Sequence, residues 1–345
     1  MNKLILLTAI IIFVATSSFL INNEQPTPRR LDLPSNFPKP TYDISNNPIT
    51  EEGFALGRYL FYDGLLSKDG TISCASCHQQ SAAFIQADHD VSHGVDDRIG
   101  KRNSLPIFNA LYKKSFFWDG GVPKLDFVPV NPIENELEMD EKMDNVINKI
   151  NKSSKYKLLF KRAFNVEVIT SKELLHALAQ FMYAMVSSNA KYDKYVRGEG
   201  AKLNEKEKEG MVIFSKKCAS CHSSDLFTDD SYRNNGLEGE NPSDKGREDI
   251  TLNIVDRAKF KVPSLRNIVI TAPYMHDGRF KSLEEVLMHY SSGVKYSKSL
   301  DPILQTNHKL GIPLSINEQS SLLDFLATLT DSTLLTNSEF SNPDH

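Results

Sequence analysis

The sequence is poor in the residues that staple or mark a fold, with one tryptophan, Trp118, and four cysteines in 345 residues. It also lacks an excess of either charge: 40 Lys and Arg stand against 44 Asp and Glu, for a net charge of −4. The basic residues are scattered, so no electrostatic footprint for a nucleic acid is present. Beyond residue 21 no run is long and apolar enough to cross a bilayer. What is there is an ordinary globular composition, 40% hydrophobic and 24% charged, in a chain with room for two cores. Two domains are the starting expectation.

The N-terminus reads Met1-Asn2-Lys3, then an uncharged run from Leu4 to Ile21, then Asn22-Asn23-Glu24. A short basic start and an apolar core fading into Ala15-Thr16-Ser17-Ser18 read as a cleaved export signal over residues 1–22. A retained anchor is the alternative, because about 18 uncharged residues approach the span of a bilayer. A proline-rich leader follows over 23–44. Exported proteins usually spend cysteines on disulfides. Here all four lie in C-x-x-C pairs.

Each pair is followed by histidine: Cys74-Ala75-Ser76-Cys77-His78 and Cys218-Ala219-Ser220-Cys221-His222. At this composition one C-x-x-C-H arises by chance in about one such chain per thousand, so two are not accidental. Zinc, two disulfides or a thioredoxin-like thiol pair would use the cysteines. None of these explains why an imidazole follows directly both times. Covalent attachment of c-type haem does, because two thiols form thioethers with the vinyl groups and the adjacent imidazole reaches the iron.

The flanking patterns suit short helices that deliver the chain to each motif. Asn204 with Glu207 reads as a capping box, followed by Met211, Phe214 and Cys218 at helical spacing. Thr50-Glu51-Glu52 opens a run with Phe54 and Phe61 on one side, and Gly57 between them leaves room for a close neighbour. Thr170 to Glu173 caps an amphipathic helix with Leu174, Leu178, Phe181, Met182 and Met185 inward. Its methionines and His176 are expected in the core rather than as ligands. The run Lys202–Glu209 reads as a solvated helix face and Arg233–Arg247 as a loop.

Beyond the motifs, the phrases VSHGVDDRIGKRN (91–103), FFWDGG (116–121), NPIENELEM (131–139), FKVPSLRN (260–267) and TAPYMHDGRFKSLEEV (271–286) occur in one order. Over about residues 45–330 the chain thereby resembles the bacterial di-haem cytochrome c peroxidase family, which also includes MauG. The resemblance implies an all-α protein of two cytochrome c-like domains, each with one covalently bound c-type haem. The N-terminal domain, 45–200, would react with hydrogen peroxide. The C-terminal domain, 201–335, would take electrons from a small periplasmic donor, a cytochrome c or a cupredoxin. Carried over by position, Cys74, Cys77, Cys218 and Cys221 hold the haems and His78 and His222 are proximal iron ligands. Trp118 lies between the haems, and Glu138 overhangs the open face of the first iron as proton shuttle. Glu134, Glu136 and Glu141 are expected on a solvated loop. A calcium ion between the domains would take Asn103, Thr271 and Pro273, the last two through their carbonyls. A periplasmic location is implied, and a homodimer is allowed.

The chain departs from the pattern at three places. The distal histidine found on the first haem of many members aligns with Val95, which cannot ligate iron. His89 and His93 are near enough in sequence to substitute but are expected as loop residues, leaving a five-coordinate first haem. On the second haem the sixth ligand aligns with Tyr290, as in MauG-like members, with Met288 or His289 in a shifted register. A thioether there favours Fe(II), a phenolate Fe(III). His276 is expected to support the haem edge. A glutamine near the peroxide pocket is replaced by Val128. Three functions are therefore open: a peroxidase, a MauG-like oxidant of a protein or other substrate, and a pure electron carrier.

Overall fold

The computed structural model describes residues 25–344 apart from 88, 307 and 308, so the export signal or anchor over 1–22 lies outside the described residues. Among the described residues no helix is long and apolar enough to cross a membrane. The chain is predominantly helical, with two short antiparallel pairs: β1 (Tyr232–Arg233) with β2 (Phe260–Lys261), and β3 (Gln305–Thr306) with β4 (Lys309–Leu310). The first half carries α1 (Glu51–Tyr62), α2 (Cys74–Cys77), α3 (Val130–Glu134), α4 (Met143–Lys152), α5 (Ser154–Phe164), α6 (Ser171–Ala184) and α7 (Lys191–Val196). The second carries α8 (Glu205–Lys217), α9 (Glu248–Thr251), α10 (Leu283–Met288), α11 (Ile316–Ala327) and α12 (Ser332–Thr336).

The expected caps are present. Thr50 Oγ1 accepts from the Gly53 amide at 3.0 Å, and Asn204 and Glu207 close a reciprocal box at 2.9 and 2.7 Å. Thr170 and Glu173 do the same for α6. These bonds satisfy amides that an α-helix leaves open at its start.

Each half is organised by one helix crossing. In the first, α1 lies on α6 so closely that a methyl on Gly57 would overlap the Ala177 carbonyl. Phe61 and Phe54 meet Phe181 there, with ring centroids at 5.1 and 5.5 Å. In the second, α8 lies on α11, Gly210 faces the Ser321 carbonyl, and Phe214 meets Phe325 at 5.2 Å. The glycine precedes its phenylalanine by four residues in both halves. These are two cytochrome c-like domains with separate cores.

A second repeat, unseen in the sequence reading, follows each haem motif. Asn109 and Trp118 are nine residues apart, as are Asn267 and His276. Both asparagines are left-handed (φ 56° and 59°), as are Phe117 and Met275, and each asparagine starts a 3₁₀ turn. Trp118 and His276 thus occupy equivalent places, and their rings meet edge-on at 6.5 Å.

The halves are tied by buried polar groups. Arg266 pairs with Asp193 of α7 at 2.5 and 2.9 Å, both side chains fully buried. Leader residues Leu31, Phe37 and Tyr42 pack on the first core, and after α11 the chain returns to bury Leu334 and Phe340 there.

Three expectations about individual residues are corrected. Glu141 is buried rather than solvated, because Lys149 pairs with it at 2.5 Å. Glu207 turns inward from its charged run to cap α8 and pair with Lys191 at 2.6 Å. His176 lies half-exposed on the flank of α6 rather than in the core.

Candidate active site

The single turn of α2 is held by Ser73 and Ser76, the Ser73 amide donating to Ser76 Oγ at 3.1 Å. It ends at His78, whose Nδ1 lies 2.9 Å from the Phe84 carbonyl. That carbonyl is aimed by left-handed backbone at Ala83 and Phe84 (φ 51° and 60°). His222 repeats the device: its Nδ1 lies 3.2 Å from both the Phe227 and Pro263 carbonyls, with Phe227 also left-handed. A carbonyl only accepts, so Nδ1 carries the proton and Nε2 keeps its lone pair. Burial lowers the His78 pKa to about 4, and that of His222 falls for the same reason. Both rings are neutral and oriented through the nitrogen away from a metal, as ligating imidazoles are.

All four cysteines are free thiols. Burial pushes Cys74 and Cys218 up to about 12 and Cys77 to about 11. A redox-active thiol pair needs the opposite shift, which counts against a thioredoxin-like role. Among the described residues no three His, Cys, Asp or Glu side chains converge as a metal-ion cluster.

Each motif opens onto a cavity. Cys77 and His78 line one of about 1200 Å³, and Cys218, Cys221 and His222 line another of about 200 Å³. Trp118 lines both, buried, its indole N–H donating to the Asn103 carbonyl at 2.9 Å. Paired thiols beside an oriented imidazole, with Cys77 and His78 on one wall and Cys218, Cys221 and His222 on the other, fit a covalently held haem at both places, although Cys74 is not on the first wall.

Glu138 and Val128 line the first cavity. The Asn135 side chain builds this wall: its Oδ1 accepts from the Leu137 amide at 3.0 Å and its Nδ2 donates to Glu138 Oε1 at 2.7 Å. Burial raises the Glu138 pKa, and the Asn135 bond opposes that. Five other carboxylates line the cavity. Asp119 and Asp244 pair with Arg102, Asp229 with Arg233, Asp230 with Lys261, and Asp249 is exposed. Among the described residues Glu138 is the one of the six that is half-buried without a cationic partner, its carboxylate held by the Asn135 side-chain amide.

Val95 is buried behind this wall, its amide donating to the Glu138 carbonyl at 2.7 Å, and does not line the cavity. His93 pairs with Asp97 at 2.8 Å and His89 is exposed beside it; neither lines the cavity. At the second cavity Tyr290 is on the wall, in a π-turn over His289–Gly293. Met288 points to solvent at 61% exposure, and the His289 Nε2 is bonded to the Asn235 carbonyl at 3.0 Å. Burial pushes the Tyr290 phenol up to about 12, and the Asn235 side chain opposes that. Asn103, Thr271 and Pro273 also line this cavity, as does His276, stacked on Phe260 at 3.7 Å.

Sequence reasoning missed Asn135 and Asn235. Asn135 reaches Glu138 from only three residues away, a local contact, whereas only the fold brings the Asn235 amide to Tyr290.

A family model for di-haem cytochrome c peroxidase matches residues 51–201. The methylamine utilization protein MauG of Methylorubrum extorquens is 34% identical over 309 residues, covering 87% of this chain and 83% of that one. The chain belongs to the di-haem cytochrome c peroxidase and MauG family. A cytochrome c551 peroxidase of Nitrosomonas europaea is 35% identical over 237 residues, 67% of this chain and 70% of that one. Among solved structures, a MauG-like protein associated with microbial copper homeostasis superposes with a TM-score of 0.82 at 32% identity, covering 92% of this chain and all of that one. Membership in this di-haem family implies two haem cofactors, an oxidoreductase class and electron transport.

Proposed function

We propose that the chain is a di-haem c-type peroxidase that reduces hydrogen peroxide to two waters with two electrons and two protons. The electrons would come from a small periplasmic donor, with a haem held by Cys218, Cys221 and His222 as their point of entry and one held by Cys74, Cys77 and His78 as their destination. Haem held by Cys74, Cys77 and His78 would supply the iron at which the O–O bond is broken. Glu138 takes the proton from the inner peroxide oxygen and returns it to the outer one as that oxygen leaves, and Asn135 holds the carboxylate in place. Trp118 lies on the electron route between the cavities. Tyr290 would help to hold the iron of the second haem. Asn103, Thr271 and Pro273 hold calcium, and loss of activity in a chelator, reversed by added calcium, tests that site. Export to the periplasm follows from residues 1–22.

The observation that carries the reading is Glu138, the half-buried cavity carboxylate without a cationic partner among the described residues. An electron carrier has no use for a proton-shuttling group beside an open iron face. The test is steady peroxide-dependent oxidation of a reduced cytochrome c by the matured protein. No turnover above the haem-free chain sinks the proposal. Tyr290 favours the second reading, a MauG-like oxidant of a protein or other substrate, because a phenolate ligand stabilises oxidised iron. Peroxide consumption that needs a protein substrate instead of a reduced donor would select it.

A further inference from the structure

Two polar groups on the first cavity, a buried phenol and a half-buried ammonium, are short of partners among the described residues. Tyr112 is 5% exposed and its hydroxyl has no hydrogen-bond partner among the described residues. Lys113 Nζ donates to the Pro106 carbonyl at 2.8 Å, a neutral acceptor, with further donors to spare. Both residues line the cavity that contains Cys77 and His78. The neighbouring carboxylate, Asp230, is engaged by Lys261 at 2.8 Å and by the Lys114 amide at 2.7 Å. Lys261 is itself satisfied, since its ammonium also donates to the Ser115 carbonyl and hydroxyl. Among the described residues the Lys113 ammonium therefore has no carboxylate partner and the Tyr112 phenol no acceptor. A phenol withdrawn from water beside a half-buried ammonium calls for an anion that can accept hydrogen bonds.

We propose that Lys113 and Tyr112 bind a propionate of the first haem, the ammonium as counter-ion and the phenol as donor. This rests on the di-haem reading: thioethers at Cys74 and Cys77 fix the vinyl edge, and the haem carboxylates lie on the opposite side of the ring. Burial and the Lys261 charge pull the Lys113 pKa to about 8, and burial keeps the Tyr112 phenol protonated, up to about 12. In the repeat that equates Trp118 with His276, the equivalents of Tyr112 and Lys113 are Ile270 and Thr271. The cations on the second cavity wall, Lys217, Arg233 and Lys261, are each paired with a carboxylate, so the device draws electrons selectively toward the haem beside Glu138.

The test uses the full chain matured with both haems, as Lys113→Gln, Lys113→Arg and Tyr112→Phe, with pyridine haemochrome counting haem and spectroelectrochemistry resolving the two potentials. Lys113→Gln should lower the ferrous-to-ferric ratio of the first haem at least tenfold at fixed potential, about 59 mV for one electron. Lys113→Arg should return it to within about threefold. Tyr112→Phe, nearly isosteric, should shift the resonance Raman propionate bending band of the first haem with haem content unchanged. An unmoved first-haem potential, a shift confined to the second haem, or a parent potential that follows added chloride overturns the assignment. Fewer than two haems in the parent chain would overturn the di-haem reading itself.

Discussion

Replacing Glu138 by glutamine tests the proposed chemistry with little disturbance of the wall that carries it. The amide has the same length and its oxygen can accept from Asn135 Nδ2, so the contact at 2.7 Å is retained. What is lost is a group able to take and return a proton. General acid–base catalysis contributes about 10²–10⁴-fold. At about 1.36 kcal/mol per tenfold, that is roughly 2.7–5.4 kcal/mol of barrier. Glu138→Gln should therefore cut peroxide-dependent oxidation of reduced cytochrome c by about 10²-fold or more, with both haems still present by pyridine haemochrome. The pH profile gives an independent reading. The carboxylate form accepts the proton, so the rate falls as pH drops through the Glu138 pKa. Burial raises that pKa, placing the acid limb above the ordinary glutamate range. Glu138→Gln should erase the limb, and Asn135→Ala, which removes a donor that favours the charged form, should move it to higher pH. Turnover within about threefold of the parent with the limb still present would refute the shuttle.

Further outcomes follow from the same geometry. Asp193→Ala leaves the Arg266 guanidinium buried without its carboxylate, which should cost about 3–5 kcal/mol in urea unfolding; a loss below about 1 kcal/mol would mean that water reaches the site. Gly57→Ala and Gly210→Ala gain about 1 kcal/mol of helix propensity but press a methyl on a backbone carbonyl that no rotamer change relieves. Overpacking at about 1–3 kcal/mol should win at both crossings, read as a lower unfolding midpoint. Tyr290→Met should raise the potential of the second haem and leave the first in place, by spectroelectrochemistry; no change would remove Tyr290 from the iron. Trp118→Phe should slow reduction of the first haem by the second in stopped-flow mixing, and an unchanged rate would leave Trp118 with a packing role only.

Much of this site was legible because it is written in short local patterns. C-x-x-C-H names its own cofactor, and the caps at Thr50, Thr170 and Asn204 mark helix starts through bonds that span only a few residues. The inward turn of Glu207 and Glu141 was not legible, because a charge run looks solvated until a lysine from another element reaches it. The register at Tyr290 was open in the sequence, where Met288 and His289 were alternatives. The turn of the helix decides which of the three side chains lines the second cavity, and it selects Tyr290.

The order of residues by itself determined the helical class, the two haem motifs and the identity of the chemistry-bearing side chains, since covalent attachment and capping act over a few positions. Tertiary structure decided which carboxylate is free of cations, because ion pairing joins residues as distant as Arg102 and Asp244. It also placed Trp118 against both cavities and left Tyr112 without an acceptor. Burial and electrostatic neutralisation depend on what the rest of the fold brings near, and local sequence does not contain that.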